Sequence, residues 1–535
     1  MESSVSQIQW WTKARGFAQR VGGWITRRPR LICPDCALDL RRARLYRELR
    51  VCDRCGHHFP LDARKRIETL VDGHSFVELE RNLATRVPAG AYAKRVRAAE
   101  RETRLREAVV IGTARIQGVE VALAVLDFRF LGGSMGAVAG EKIARSFEMA
   151  AEKELPLLAI TTSGGARIQE GMLALLQMAK TAAAAQRYHQ VGKPFITLLA
   201  HPTTGGVYAS FANLADVIFA EPRALIGFAG PRVVEVLTRQ KLPSDSHRAE
   251  FLLEHGMVDA IIARPQLRDT IGELLRTLGA QPLPPLPEPL ASLPPPEEVD
   301  GISPWQSVIL ARHPDRPTTL DYTRRIFSNL TELHGDRLYG DDPAMIAGIA
   351  GLDGQPIAVV GQERGHGAES ERRRRGSAGP EGYRKAQRIM QLAAKWNLPV
   401  ITFVDTPGAD ASYEAEKRGI APALAHTIAT MLDLNVPTVA VVIGEGGSGG
   451  ALALAVADRV LMLEHSVYSV ISPEGASAIL YGDASHAEEL SPELHLTARD
   501  LKRFGIIDEM ISEPEGGAHA APDEMARRVR VHLLR

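Results

Sequence analysis

The sequence predicts an α/β protein in which one domain occurs twice behind a small ribbon built on cysteine, and three observations predict it. All four cysteines of the 535 residues fall in two C-x2-C pairs between Cys33 and Cys55. A pattern of hairpin, helix, buried strand and glycine turn is present twice in the same order. Between the two copies lies QPLPPLPEPLASLPPP, a run half proline that can be neither helix nor central strand and reads as a semi-rigid spacer. The resulting division is an N-terminal extension over 1–30, a ribbon over 31–60, a first domain over 61–280, a linker over 281–302 and a second domain over 303–535.

Composition sets the class. With 45% hydrophobic and 24% charged residues the chain has the make-up of a globular protein. Lys+Arg and Asp+Glu both number 64, so bulk charge argues for neither nucleic acid nor membrane. Residues 1–50 are an exception, with eleven Lys/Arg against four Asp/Glu. No apolar stretch approaches the roughly 18 residues of a membrane span, and MESSVSQIQWWTKARGF has no apolar signal core, so the cytoplasm is expected.

In the ribbon, Cys33, Cys36, Cys52 and Cys55 have the spacing C-x2-C-x15-C-x2-C of a four-thiolate zinc site. His57 and His58 follow at once, but four sulfurs already complete a tetrahedral sphere. The ribbon's arginines, Arg41, Arg42, Arg44, Arg47 and Arg50, read as a solvated basic face, with phosphate contact the alternative.

The repeat begins at GTARIQGVEVALAV (from Gly112) and GIAGLDGQPIAVVG (from Gly348), each a predicted hairpin. A helix follows, then Leu155-Pro156 or Leu398-Pro399, then Ser163-Gly164-Gly165 or Thr406-Pro407-Gly408. Downstream, Ala215-Asp216 matches Ala457-Asp458, and Gly256-Met257-Val258-Asp259 matches Gly505-Ile506-Ile507-Asp508. An offset held at roughly 236 to 249 throughout marks an internal duplication.

The stretch Thr438 to Ala457, TVAVVIGEGGSGGALALAVA, reads as strand, glycine loop and helix. Gly444, Gly446 and Gly449 spell G-x-G-x-x-G, a dinucleotide fingerprint, while Gly446, Ser448 and Gly450 spell G-x-S-x-G, a hydrolase elbow that would need Asp458 or Asp483 with His519. A third reading uses only backbone N–H groups as an oxyanion hole. The matching loop of the first half, Thr203-Thr204-Gly205-Gly206, has neither fingerprint and shares only a glycine pair at a helix start, which favours the backbone reading.

On these motifs the chain resembles a known family. VCDRCGHH, DFRFLGGSMG, TSGGARIQEG, PTTGGVYASFA and EPRALIGFAGPRV resemble the β subunit of bacterial acetyl-CoA carboxylase carboxyltransferase. SPWQSVILARHPDRPTTLDY, PEGYRKAQRIM, ITFVDTPGA, VIGEGGSGGALALAVAD and YSVISPEGASAIL resemble its α subunit. The resemblance implies a fused β-α chain with two domains of the crotonase-like (ClpP/crotonase) fold. It implies CO2 transfer from carboxybiotin, carried on a biotin carboxyl carrier protein, to acetyl-CoA, forming malonyl-CoA for fatty acid synthesis. It implies biotin carboxylase as a further partner, one structural zinc, and a homodimer equivalent to α2β2.

Carried over by motif, Gly205 and Gly206 would form one oxyanion hole and Gly449 and Gly450 the other, with Gly446 and Gly447 as alternatives in the second loop. Ser163, Gly164, Gly165, Thr406, Pro407 and Gly408 would border the two clefts. Arg167, with Lys142 and the run Arg372 to Arg375, would be candidates for CoA phosphates, though the arginine run reads better as a solvated charged loop. The chain departs from the family where the α subunit reads GAYPG and AEERGQ: here stand Gly408-Ala409-Asp410-Ala411-Ser412 and Ala415-Glu416-Lys417-Arg418-Gly419-Ile420, which alters the wall expected on the biotin side.

Overall fold

The computed structural model describes residues 31–229, 234–235, 239, 241–243, 245–279 and 302–535. It divides into a unit ending at Phe59 and a unit from Pro60 to Arg535. The N-terminal extension and residues 281–301 of the proline-rich segment lie outside the described residues.

In the first unit each C-x2-C pair closes the same knuckle. Ala37 N–H donates to Cys33 O and Gly56 N–H to Cys52 O, both at 3.0 Å. Cys33 N–H and Cys52 N–H donate onward to Leu38 O and His57 O, both at 2.9 Å. The residue after each second cysteine has positive φ, 58° at Ala37 and 69° at Gly56. Its buried cluster is small: Cys33, Leu40, Ala43 and Cys52, with Val51 buried as well. So little apolar area needs a cross-link or metal to hold it. Arg41 and Arg44 are engaged locally by Asp39 and Glu48.

The second unit contains two sheets of eight strands. The first half contributes β1 (Val77–Leu79), β2 (Val109–Ile116), β3 (Val119–Leu126), β4 (Leu157–Ser163), β5 (Phe195–Thr204), β6 (Val217–Ala220), β7 (Ile226–Gly227) and β8 (Ala260–Ile261). They run in the order β1-β2-β3-β4-β5-β6-β8, with β7 added to β5. The second half contributes β9 (Ser328–Glu332), β10 (Met345–Leu352), β11 (Gln355–Gln362), β12 (Val400–Thr406), β13 (Thr438–Gly447), β14 (Arg459–Leu463), β15 (Val467–Ser469) and β16 (Glu509–Ile511). Their order, β9-β10-β11-β12-β13-β14-β16 with β15 on β13, repeats the first. In both, the first three strands are antiparallel and the rest parallel.

The repeated sequence signals turn out to be repeated bonds. Gly112 and Gly348 let β1 and β9 approach, since a Cβ there would meet Val77 O at 2.1 Å and Thr331 O at 2.3 Å. Asp216 and Asp458 accept the N–H groups of Phe195 and Thr438, which open β5 and β13 (2.8 and 2.9 Å). Asp259 and Asp508 do the same for Ile218 and Val460 (2.7 and 2.8 Å). Asp127 and Glu363, each just after the third strand of its half, accept from Ala63 N–H and Leu320 N–H in the first turns of two matching helices (3.1 and 2.7 Å). Each carboxylate satisfies an otherwise orphaned donor.

The two halves share one core. Leu267, Ile271 and Leu275 of the helix Arg264–Leu278 belong to the same buried cluster as Leu333, Met345 and Ile389. Charge follows across the seam: buried Asp259 pairs with Arg337 and Arg388, and Asp216 with Lys395. No helix among the described residues is long and apolar enough to cross a membrane.

Candidate active site

In the first half the glycine loops lie where β4 and β5 end. Ser163 pairs with Thr203 after a local register shift. Gly165 has φ +104°, a conformation open to glycine, and a Cβ on it would stand 3.1 Å from Gly205 Cα and 3.2 Å from Gly206 N. The two turns are thus in backbone contact.

Most donors around the two turns are used. Gly164 N–H donates to Gly132 O (2.9 Å), Gly165 N–H to Ser163 Oγ (3.0 Å), Arg167 N–H to Met135 O (2.9 Å) and Gly205 N–H to Gly227 O (3.1 Å). Ala166 N–H and Gly206 N–H have no acceptor among the described residues. They are neighbours: a Cβ on Gly206 would lie 3.5 Å from Ala166 N.

The second half repeats this. Thr406 pairs with Gly446 after the same register shift, Gly408 N–H donates to Thr406 Oγ1 (3.1 Å) and Asp410 N–H to Ala378 O (2.9 Å), leaving Ala409 N–H without an acceptor among the described residues. The helix Ser448–Ala455 starts beside it, and its first-turn N–H groups, Gly449 among them, have no partner within the helix. Gly450 touches the same place, since a Cβ on it would stand 2.5 Å from Ala409 N. Its carbonyl accepts from Gln362 Nε2 at 2.8 Å and from Tyr383 Oη at 3.3 Å.

Strand register corrects the expected matching of the loops. Because Ser163 pairs with Thr203 and Thr406 with Gly446, Gly205 corresponds to Ser448 and Gly206 to Gly449. Gly205 and Ser448 both have positive φ, 65° and 52°, which explains how a serine holds a glycine's place. Gly205 N–H is consumed by β7, so adjacent glycines do not supply a free pair. In the first half Ala166 N and Gly206 are neighbours; in the second Gly449 stands at the register place of Gly206, while the glycine packed against Ala409 N is Gly450. Ala166 and Ala409 are not singled out by sequence, because alanine carries no chemical signal; their shared place, third after Ser163 and Thr406, is the available clue. Gly446 and Gly447 lie in β13, packed on Tyr468 and on Pro407 O. Ser163 and Thr406 use their hydroxyls inside their own turns.

Arg167 is also corrected, for it is no surface contact for phosphate. Its side chain is 0% exposed and pairs with Glu107, itself 0% exposed, and with Glu170 at 3.1 Å. It donates further to Ser134 O (2.7 Å) and Tyr92 Oη (3.4 Å). Burial alone would lower the guanidinium pKa; the hydrogen bonds and charge of Glu107 outweigh it and hold the group above its usual range. Burial and the Glu170 bond push the Tyr92 phenol up to about 12. Arg167 therefore fixes the turn that presents Ala166.

In the second half Glu445 sits between Arg312 (2.6 Å) and Arg364 (2.7 Å), and Asp405 accepts from Arg364 (3.2 Å) and Glu445 N–H (3.0 Å). Burial pushes the Asp405 carboxyl up, against the pull of Arg364. In the divergent loop, Ser412 caps the helix Tyr413–Lys417 through Ala415 N–H, and Asp410 lies 3.8 Å from Arg374. Within the arginine run, Arg372 and Arg373 pair with Glu369 and Arg374 with Asp342. The acids and histidine a hydrolase would need are occupied: Asp458 holds Thr438, Asp483 holds Ser485, and His519 stacks on His313 at 3.7 Å.

The four cysteine sulfurs lie within 4.8 Å of one another and could hold a metal ion.

Comparisons with known proteins show the family. Residues 296–535 match the family model described as acetyl co-enzyme A carboxylase carboxyltransferase-like. The chain is 48% identical over 518 residues to the acetyl-coenzyme A carboxylase carboxyl transferase subunits beta/alpha of Salinispora arenicola, covering 94% of this chain and 91% of that one. It is 43% identical over 523 residues to the protein of the same name from Natranaerobius thermophilus, covering 94% and 86%. A transcarboxylase 12S crystal structure with methylmalonyl-coenzyme A and methylmalonic acid bound has the same fold, with a TM-score of 0.72, 23% identity and 89% of each chain covered. Two matched crotonase-like halves with full-length relatives at this identity leave one conclusion: the chain belongs to the acetyl-CoA carboxylase carboxyltransferase family, with β-type and α-type portions in one polypeptide.

Proposed function

We propose that the chain moves CO2 from carboxybiotin on a carrier protein to acetyl-CoA, and that its two hollows are oxyanion holes serving the two anions of that reaction. The observation that supports this is the set of N–H donors without acceptors among the described residues, Ala166 and Gly206 in the first half and Ala409 in the second, where Gly449 takes the register place of Gly206. Carboxyl transfer needs two oxyanions stabilised, an enolate on the thioester and a ureido oxygen on biotin. Fixed backbone donors do this at no reorganisation cost. The biotin group supplies the labile carboxyl and a nitrogen that takes the methyl proton. The first pair is assigned to the thioester oxygen and the second to the ureido oxygen, with Gly450 packing against the second hole.

Zinc fits the cysteine cluster, since four sulfurs at tetrahedral reach leave no open coordination position and make the ion structural. A homodimer is proposed because Ile168, Met172, Leu173 and Leu176, beside the Ala166 loop, are 89, 64, 62 and 54% exposed, an apolar flank that a second copy would cover. Acting on a CoA thioester, the enzyme is placed in the cytoplasm, with a biotin carboxylase to recharge the carrier.

Purified protein given malonyl-CoA and biocytin is expected to form acetyl-CoA only when both are present. Running propionyl and longer acyl analogues in parallel reads the effect of the Asp410 loop on substrate choice. Absence of turnover with every acyl-CoA would refute the reading.

A further inference from the structure

The helix Ser448–Ala455 begins at the second hollow, yet its sequence, SGGALALA, has no polar side chain beyond Ser448 to anchor it, and no side chain caps it from Gly447. What holds it comes from other elements and acts on its carbonyls. Gln362, the last residue of β11, is 0% exposed. Its Nε2 donates to Gly450 O at 2.8 Å, while its Oε1 accepts from Asp405 N–H at 3.2 Å. Tyr383 Oη adds a second donor to Gly450 O at 3.3 Å. Burial pushes that phenol above its usual range, so it stays protonated and donates. Towards the far end of the helix, Thr402 Oγ1 donates to Leu454 O at 2.6 Å.

These three donors belong to the second half alone. Strand register puts Leu126 at the place of Gln362 and Ala159 at that of Thr402. The helix Ala137–Glu152 has Gly140 where its counterpart Pro380–Trp396 has Tyr383. None of the three first-half residues carries a side-chain donor. There the carbonyl of Gly206 is held within its own loop, by Ser210 Oγ at 2.7 Å.

A buried primary amide is unfavourable unless its polar atoms are bonded. Gln362 directs both ends of its amide to the main chain on the two sides of the second hollow. Asp405 immediately precedes the Thr406 turn, and Gly450 packs against Ala409 N. We propose that Gln362 is a positioning residue for this hollow: its amide ties the helix start that carries Gly449 and Gly450 to the strand end that leads into the Ala409 turn, with Tyr383 as a second anchor. The assignment rests on the carboxyltransferase reading, in which this hollow receives the ureido oxygen. A preorganised donor stabilises a developing charge to the extent that it does not shift as the charge forms. Gln362 touches no reacting atom and acts through the backbone it holds.

The test compares the full chain with Gln362→Met, which keeps the bulk of the side chain and loses both bonds, and with Gln362→Glu, which regains both when its carboxyl is protonated. Turnover of malonyl-CoA with biocytin is measured against pH as the ratio of variant to wild type, and acetyl-CoA binding is followed by calorimetry. Gln362→Met is expected to lower kcat about 10- to 100-fold at every pH. Its acetyl-CoA affinity and stoichiometry should stay at wild-type values, because the first hollow lies in the other half. In Gln362→Glu burial raises the carboxyl pKa, so the ratio should climb towards one as pH falls through it. Unaltered kcat in Gln362→Met, a kcat that falls only in step with acetyl-CoA stoichiometry, or a Gln362→Glu ratio that stays low at the acid end would each overturn the assignment. Wild-type protein that turns over no acyl-CoA would refute the carboxyltransferase reading instead. Amide hydrogen exchange then decides the anchor: faster exchange over residues 448–455 in Gln362→Met supports it, and unchanged exchange removes it.

Discussion

Around Ala166 the donor-bearing turn is clamped by a buried arginine, whereas at the matching place in the second half, one residue after Ala409, stands Asp410. There the support comes from another direction: Glu445 held between Arg312 and Arg364, and Asp405 bonded to both Arg364 and the Glu445 backbone. The backbone of the two turns is nevertheless the same, down to a hydroxyl that accepts from Gly165 or Gly408 and a positive φ at Gly205 or Ser448. What the two halves keep is the register and turn backbone; what they change is the side chains that hold them. Chemistry carried by the main chain leaves side chains free to diverge.

The comparison breaks most visibly at Arg167. Arg167→Met strands Glu107 at 0% exposure and is expected to cost about 3–5 kcal/mol in denaturant unfolding. Adding Glu107→Gln should recover part of that loss; equal stability of single and double variants would show that the pair is not the clamp. Next comes Gly450, matched in the first half by Val207. A methyl there would stand 2.5 Å from Ala409 N, so Gly450→Ala should lower kcat of the reverse reaction by about 10²–10³, the worth of one oxyanion donor. Normal turnover would place the second hole elsewhere.

Arg364→Met tests the second clamp with a smaller effect, about 1–3 kcal/mol, because Glu445 keeps Arg312. A loss as large as that of Arg167→Met would mean the two clamps are equivalent after all. The smallest effect belongs to Ser448→Ala, expected within about 0.5 kcal/mol in stability and without change in kcat, since its hydroxyl has no role in this account. Inactivation by that change would revive a nucleophilic serine.

Much of this architecture was legible in the chain. The C-x2-C pairs, the hairpin glycines and the Ala-Asp and Gly-x-x-Asp pairs announced both the ribbon and the duplication, because each reports a backbone requirement that few residues can meet. The two glycine turns, as turns, were legible for the same reason. The donors Ala166 and Ala409 were hidden, since a free N–H leaves no mark on the side chain. Arg167 misled because an arginine in a glycine-rich turn looks identical in sequence whether it faces a ligand or Glu107, some sixty positions away. The one-residue shift that aligns Gly205 with Ser448 became visible only through strand register.

Two main-chain N–H groups, one in each half, are proposed to do the same work. Replacing Ala166, and separately Ala409, by lactic acid exchanges that N–H for an ester oxygen and leaves the methyl group in place. With malonyl-CoA and biocytin as substrates, each ester is predicted to lower kcat by about 10²–10³. Wild-type turnover in either ester chain would contradict the account.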